Sequence, residues 1–333
     1  MRLVFITQRV DEDDPALGAT VPKLRALANR VDELVVLALH AVPTELPANV
    51  RVETFGAPTS ALTGLRLAAR LAPQLRRRPV AVIAHMSPVY AIAAAPLTRP
   101  LGVPLLLWFT HWRDSRSLRF AERLATGVVS VDERSFPFSS RKLVAVGHGI
   151  ELGEAPARRP AEGALRLLAL GRTSPAKGLG TIVDTVAGLD GVELEIRGPS
   201  LTDEERRHRA ELVARGARVE DAVPRSRVDE VYAQADVLVS NMRAGALDKV
   251  VYEAAAAGLP VLVASDGFAA LTDGIEPPLR FVQDDAASLA ERIRGLVDAG
   301  PEGRASAAGE LRRRVARDHS VDHWADAIVA AAR

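Results

Sequence analysis

The sequence predicts an α/β protein of two doubly wound domains, each a parallel sheet with helices on both faces. Short apolar runs alternate with longer amphipathic ones along most of the 333 residues, which is the pattern of repeated strand–helix–strand units. At roughly 150 residues per domain, this length suggests two domains. A charged, proline-containing stretch without strand pattern, residues 151–162, separates two such series, and we interpret it as the linker.

The strands are predicted from the short apolar runs. The first series places them at 3–7, 33–39, 50–55, 80–84, 104–110, 127–131 and 143–146. The second series places them at 165–170, 192–196, 236–239 and 260–264. Helices are expected between the strands, including 16–30, 179–188 and 203–215, and the tail from residue 287 onward is predicted to be helical throughout.

The composition excludes several classes of protein. The 43 basic and 42 acidic residues give a net charge of +1, so the chain lacks the basic footprint of a nucleic-acid-binding protein. The absence of cysteine excludes disulfides, thiol nucleophiles and cysteine zinc sites. The first residues do not form a signal-peptide pattern, and no apolar run reaches about 18 residues. We therefore expect a cytoplasmic protein.

The strongest local signal follows the predicted strand 165–170, where the chain has GRTSPAKG from Gly171 to Gly178. In this glycine-bounded turn, Arg172 supplies a planar fork and Lys177 a mobile point charge, which together suit a diphosphate. The turn is not a P-loop, because Ala176 precedes the lysine and Gly178 replaces the required Ser or Thr. A surface turn with two solvated charges is the alternative interpretation.

A second signal covers residues 240–265, with the sequence SNMRAGALDKVVYEAAAAGLPVLVAS. Asp248 suits the N-cap of a helix that begins at Lys249, and amides at such a helix start bind phosphates. Glu253 lies inside this helix, where a carboxylate is able to hold two sugar hydroxyls. The alternative is an exposed helix glutamate, but the alanine run after Glu253 indicates close packing and favours a functional role.

Other polar residues are weaker candidates. His85, His111 and His148 each follow a predicted strand, where a lone histidine is more often structural or solvated than catalytic. The adjacent acids at 11–14 suit a solvated loop better than a metal site, and we expect no metal centre.

These segments together resemble the retaining glycosyltransferases of the GT-B fold, specifically glycosyltransferase family 4. The second half carries GRTSPAKG, IRGPS, VYAQADVLVSN and EAAAAGLPVLVAS in the family's order. The first half is similar more weakly, through AHMSP, LLLWFTHW, SVDERSF and VGHGI. The resemblance implies two Rossmann-like domains that face each other across a cleft. Residues 1–150 would form the acceptor side and 163–315 the nucleotide-sugar side, and a helix in 316–333 would return to the N-terminal domain.

The resemblance also implies roles for single residues. Arg172 and Lys177 match the pair that neutralises the donor diphosphate, and His111 matches a histidine near the transferred sugar. Glu253 matches the second glutamate of the E-x7-E motif, which binds the ribose. The first glutamate of that motif is missing, because Gly245 stands in its place, and this departure puts the donor sugar in doubt. The implied donor-binding positions are Gly18, Gly198, Asn241, Gly245, Ala246, Lys249, Val250 and Glu253.

The function implied is metal-independent transfer of a sugar, with retention of configuration, from a nucleotide-sugar donor to an acceptor hydroxyl. No cofactor is expected, both UDP and GDP stay open, and the acceptor is a saccharide, a lipid-linked saccharide or a small molecule. Two alternatives stay open, namely a sugar-nucleotide epimerase of the same fold and a non-catalytic subunit that binds nucleotide or a partner.

Residues 63–78 form a basic amphipathic stretch. Its pattern favours an ordinary surface helix, and peripheral contact with the cytoplasmic face of a membrane is the alternative.

Overall fold

A computed structural model describes residues 1–14, 17–111, 113–156, 163–243 and 247–333. They divide into two units, each with its own sheet and core. Unit 1 comprises Met1–Gly149 and Asp318–Arg333, and unit 2 comprises Ile150–Arg317. Of the predicted linker, residues 157–162 lie outside the described ranges.

Unit 1 is built on a parallel sheet that, among the described residues, has seven strands. They are β1 (Arg2–Val10), β2 (Glu33–Ala41), β3 (Val50–Thr54), β4 (Ala81–His85), β5 (Leu105–Trp108), β6 (Gly127–Ser130) and β7 (Leu143–Ala145). Their order is β3-β2-β1-β4-β5-β6-β7. The helices are α1 (Thr20–Ala28), α2 (Ser60–Leu75), α3 (Pro88–Thr98) and α4 (Arg116–Leu124). The chain winds outward from β1 in both directions, which is the doubly wound arrangement.

Alternate residues of β1 are buried on opposite faces of this sheet. Leu3 and Phe5 belong to a core shared with α1, and Val4 and Ile6 belong to a second core shared with α2 and α3. A sheet covered on both faces needs strands that are apolar at every position, which explains the continuous apolar runs in the sequence.

Unit 2 carries a second parallel sheet, of five strands within the described ranges. They are β8 (Leu165–Leu170), β9 (Val192–Arg197), β10 (Arg218–Glu220), β11 (Val237–Ser240) and β12 (Val261–Val263). Their order is β10-β9-β8-β11-β12. The helices are α5 (Leu179–Ala187), α6 (Asp203–Ala214), α7 (Val228–Gln234), α8 (Lys249–Ala256), α9 (Ala269–Thr272), α10 (Ala286–Asp298) and α11 (Gly300–Asp318). The predicted pair of Rossmann-like sheets is therefore confirmed.

A few elements differ from the sequence prediction. The edge strand β10 was not predicted, because its three residues, Arg-Val-Glu, lack an apolar run. The helix expected at 16–30 begins at Thr20 instead. The tail expected to be one helical region is interrupted, and its last helix, α12 (Val321–Ala331), begins where the Ser320 hydroxyl accepts a hydrogen bond from the His323 amide.

The return of α12 to the N-terminal unit is confirmed. Trp324 is fully buried there, and its ring lies 4.7 Å from the ring of Trp108 at the end of β5. Arg30, just after α1, forms ion pairs with Asp322 and Asp326 of α12 at 3.0 and 2.5 Å. An aromatic anchor and two ion pairs thus hold the end of the chain against unit 1.

The basic amphipathic stretch corresponds mainly to α2. Leu67 and Leu71 face the sheet, whereas the side chains of Leu62 and Leu65 are exposed. Within the described part of the chain, none of the helices has the length and apolar character that crossing a bilayer demands. Peripheral contact of α2 with a membrane surface stays a prediction.

We predict that Trp324→Ala destabilises unit 1 by about 3–5 kcal/mol, because it removes a fully buried aromatic side chain and leaves a cavity. Urea denaturation followed by circular dichroism measures the loss. His323→Ala is the matched control, since His323 is an exposed neighbour on the same helix. Equal unfolding midpoints for the two variants would contradict the anchoring role of Trp324.

Candidate functional site

The predicted donor-binding residues of unit 2 gather at one edge of its sheet. Gly171 and Arg172 follow β8, Gly198 follows β9, and Asn241 follows β11. Ligands of doubly wound α/β sheets bind outside the carboxyl ends of the strands, which form this edge. The start of α8 lies at the same edge, because Lys177 of the β8–α5 turn contacts Asp248.

Two glycines allow close approach at the ends of β8 and β9. Gly198 has a φ of 153°, and a Cβ there would overlap the carbonyl oxygen of Gly171. Gly171 has a φ of 121°, and a Cβ there would lie 2.6 Å from Lys177 Nζ. The lysine ammonium therefore fills the space that any larger residue at 171 would occupy.

Lys177 is fixed at the end of β8. A single 3-10 turn, Pro175–Lys177, begins where the Ser174 hydroxyl accepts from the Ala176 amide at 3.4 Å. Lys177 Nζ donates to the carbonyl oxygen of Leu170 at 3.3 Å and to the carboxylate of Asp248. The Lys177 side chain is only 17% exposed, so the position of its ammonium is well defined.

Arg172 has more freedom than Lys177. Its side chain is 57% exposed, and its guanidinium pairs with Glu205 at 3.3 Å. Glu205 itself is buried, and its other carboxylate oxygen accepts from the Leu201 amide at 2.6 Å. The carboxylate is thus fixed while the arginine is able to turn toward an anionic ligand.

Glu253 on α8 is held by two cations. One carboxylate oxygen, Oε1, accepts from Lys249 Nζ at 2.6 Å and from Arg225 Nη1 at 2.9 Å. Burial raises the pKa of Glu253, but the charges of Lys249 and Arg225 outweigh this effect, and the net pKa lies below its ordinary value. The carboxylate is therefore ionised at neutral pH. Arg225 also pairs with Glu151 at 3.2 Å.

Neither Arg225 nor the Lys177–Asp248 pair could be predicted from the sequence. Arg225 follows a proline before α7, in a segment without any spacing signal, and its partner Glu253 is 28 residues away. Asp248 stands at the predicted N-cap of α8, but its side chain makes no capping hydrogen bond. The N-cap pattern located Asp248 and gave no indication that it reaches Lys177.

Asn241 is buried and engaged with the protein. Its amide nitrogen donates to the Gly178 carbonyl at 3.0 Å and to Asp284 Oδ1 at 2.8 Å. Its amide oxygen accepts from the Asp284 backbone at 3.1 Å. These bonds tie the end of β11 to the turn after Lys177, so Asn241 helps to position that turn. Direct contact of Asn241 with a donor stays a prediction.

The remaining predicted positions of this region lie around the start of α8. Lys249 and Val250 are its first two residues. Gly245 and Ala246 lie outside the described residues. Lys249 reaches one turn along the helix to Glu253, as an i,i+4 pair does.

Comparisons with known proteins agree with this geometry. The family model described as Glycosyl transferases group 1 matches residues 164–299, which cover most of unit 2. The matched part of unit 2 is thus similar to the glycosyl transferases group 1 family. Among curated protein sequences, none matches the chain.

Solved structures show that the GT-B fold extends over nearly the whole chain. HepE of Anabaena, solved with UDP and glucose, is 15% identical at a TM-score of 0.75, over 98% of both chains. Sucrose-phosphate synthase of Thermosynechococcus elongatus is 17% identical at a TM-score of 0.78, over 99% of this chain and 98% of its own. A glycosyltransferase of Rickettsia africae is 12% identical at a TM-score of 0.77, over 99% of this chain and 97% of its own.

In unit 1, Gly18 and His111 occupy loops after β1 and β5. Gly18 is buried in the turn before α1, and its amide donates to the Asp14 carbonyl at 2.9 Å. His111 is exposed, and its Nδ1 accepts from the Arg113 amide at 2.9 Å. Partial burial and the nearby charge of Arg113 lower the pKa of His111, so its ring is mostly neutral at pH 7.

His85 and His148 are interior residues of unit 1. His85 ends β4, is buried, and its Nδ1 lies 2.9 Å from the Thr7 hydroxyl. Burial, assisted by the charge of Lys23, lowers the pKa of His85 to about 3. His148 is also buried, with its ring 5.9 Å from that of His319. Both positions suit the structural interpretation of these histidines.

The acidic run at 11–14 pairs with arginines. Asp11 and Asp14 contact Arg9 at 3.5 and 3.2 Å, and Glu12 contacts Arg25 at 2.7 Å. Over the ranges that the structure describes, no cluster of three or more His, Cys, Asp or Glu side chains is arranged to hold a metal ion.

We predict that His85 makes the protein less stable as the pH falls below 6.5. The folded state keeps His85 neutral down to a pKa of about 3, whereas the unfolded chain takes up a proton near 6.5. Stability should therefore fall by about 1.4 kcal/mol per pH unit between these values from this residue alone. His85→Asn should show a smaller loss of unfolding free energy between pH 7 and 5 than the wild type. Parallel pH curves for the two proteins would contradict the assignment.

Proposed function

We propose that the protein transfers a sugar from a nucleoside-diphosphate donor to an acceptor hydroxyl, with retention of configuration and without a metal ion. One observation carries the proposal. A fixed ammonium, Lys177, and an ionised carboxylate, Glu253, lie at the same sheet edge and are joined through Asp248 and Lys249 at the start of α8. The first group suits a diphosphate and the second suits a ribose.

The diphosphate is assigned to Lys177, Arg172 and the start of α8. Departure of a nucleoside diphosphate builds negative charge on its terminal phosphate in the transition state. A lysine whose ammonium already lies at this edge stabilises that charge, and Arg172 is exposed enough to join it. The first amides of α8 lack intrahelical acceptors, and the positive end of its dipole also favours an anion. These groups supply the positive charge that a divalent ion provides in other transferases.

The ribose is assigned to Glu253. Lys249 and Arg225 both donate to Oε1, and within the described residues Oε2 has no protein partner. An ionised carboxylate only accepts hydrogen bonds, so Oε2 suits a hydroxyl donor. The lowered pKa of Glu253 keeps this acceptor ionised through the neutral range.

UDP is the first nucleotide to test. HepE of Anabaena has been solved with UDP-glucose, at 17% identity and a TM-score of 0.74. GDP is the alternative, and the acceptor is a saccharide, a lipid-linked saccharide or a small molecule. Unit 1 is proposed as the acceptor side, and a role for His111 near the transferred sugar stays a prediction.

Retention follows from attack by the acceptor on the side from which the diphosphate leaves. In this scheme the leaving phosphate takes the acceptor proton, so no enzyme carboxylate needs to act as a covalent nucleophile.

A non-catalytic nucleotide-binding subunit is the second candidate, because Gly245 replaces the first glutamate of the family motif. Hydrolysis of a panel of UDP- and GDP-sugars separates the two, since only an enzyme turns over a donor.

We predict that Lys177→Ala and Arg172→Ala each slow donor turnover by about 10²–10³-fold, the usual cost of losing one preorganised charge-stabilising group. Initial rates of nucleoside diphosphate release, measured in EDTA and in magnesium, test this. Arg215→Ala is the control, because Arg215 pairs with Asp184 on an exposed surface of the same unit. Complete loss of wild-type activity in EDTA, restored by magnesium, would overturn the metal-independent scheme.

We predict that Glu253→Gln weakens UDP binding by about 1–3 kcal/mol, the value of a charged hydrogen bond. The variant keeps the shape of the side chain and loses the charge. Calorimetric titration with UDP and with 2′-deoxy-UDP measures both the affinity and the preference for ribose, which the variant should lose. Glu302→Gln, an exposed change on α11, serves as the control. Equal UDP affinity in Glu253→Gln and wild type would remove Glu253 from the site.

A further inference from the structure

Asp248 has an unusual place for a residue at the start of a helix. It occupies the N-cap position of α8, yet its carboxylate does not accept from the helix amides. The carboxylate instead contacts Lys177 Nζ, and both side chains are largely buried, at 16% and 17% exposure. An anion therefore lies on the ammonium assigned to the donor diphosphate, beside the helix start assigned to the same group.

The other cations of the site are paired as well. Lys249 and Arg225 contact Glu253 at 2.6 and 2.9 Å, and Arg172 contacts Glu205 at 3.3 Å. Within the described residues each of these cations is therefore paired with a carboxylate of the chain. A diphosphate that enters has to share a cation with one of them or displace it.

Asp248 is the carboxylate that a diphosphate displaces most easily from its cation. Glu253 is assigned to the ribose, and Glu205 is buried and anchored by the Leu201 amide. Among the described side-chain contacts, the Asp248 carboxylate has Lys177 as its one partner. Two anions that share one ammonium repel each other, and they do so more strongly near a protein surface than in bulk water.

We infer that Asp248 is an internal counter-anion that competes with the donor diphosphate for Lys177 and thereby limits the affinity of the site for nucleoside diphosphates. The inference rests on the proposed function. Asp248 acts through Lys177 and is a positioning residue. Its carboxylate holds the ammonium at the end of β8 and takes it back when the nucleoside diphosphate product leaves.

The opposite role gives the opposite result. If Asp248 served only to orient Lys177 or to support α8, its removal would weaken or leave unchanged the binding of a diphosphate. Competition instead requires that its removal strengthens binding. The sign of the change in affinity therefore separates the two roles.

The test is calorimetric titration of the full chain with UDP, GDP, ADP and uridine. Asp248→Asn removes the charge and keeps the size, and asparagine is as good an N-cap residue as aspartate, so α8 is preserved. We expect the variant to bind the preferred nucleoside diphosphate about tenfold more tightly, which is about 1.4 kcal/mol. Uridine, which has no phosphate, should bind both proteins equally. During turnover, the variant should show about tenfold stronger inhibition by the nucleoside diphosphate product.

Two further variants complete the test. Asp184→Asn removes one negative charge elsewhere in unit 2, where Asp184 pairs with Arg215 on the surface. It should bind like wild type, and tightening equal to that of Asp248→Asn would assign the effect to net charge and overturn the inference. Lys177→Met should weaken binding of the nucleoside diphosphate.

The remaining outcomes separate the inference from the proposed function. Unchanged or weaker binding by Asp248→Asn, with wild-type binding that depends on Lys177, overturns the inference and leaves the function in place. Failure of wild type to bind any of the three diphosphates, or indifference to Lys177→Met, overturns both.

Discussion

The ion pair between Lys177 and Asp248 joins the two segments from which the donor site is made. Lys177 belongs to the turn after β8, and Asp248 begins α8, 71 residues further along the chain. Gly171 leaves room for the ammonium, and Asn241 ties the same turn to the end of β11. Because α8 starts at this contact, the position of Glu253 one turn later is set by it as well.

A charge network extends from that contact. Lys249 and Arg225 converge on a single oxygen of Glu253, and Arg225 continues to Glu151 at the start of unit 2. Each cation is partly desolvated and paired, which explains how a small buried region carries so many charges. The same arrangement sets the site's chemistry, because any anionic ligand has to exchange partners with groups of the chain itself.

Much of the fold could be predicted because buried parallel strands are continuous apolar runs. The strand at 165–170 was predicted with its observed ends, whereas the short, charged β10 had no apolar run to indicate it. The return of the last helix to unit 1 was expected through the family resemblance alone. In the site, the glycine turn and the α8 segment gave Lys177 and Glu253. The ion pairs of Lys177 with Asp248 and of Glu253 with Arg225 could not be predicted, since ion pairs between distant segments leave no spacing in the sequence.

The most direct measurement is a crystal structure of the protein with UDP bound. We predict that a diphosphate oxygen lies within hydrogen-bonding distance of Lys177 Nζ, that a ribose hydroxyl lies on Glu253, and that the Asp248 carboxylate is displaced from the lysine. A nucleotide bound at the carboxyl edge of the unit 2 sheet with its phosphates away from Lys177, or its ribose away from Glu253, would contradict it.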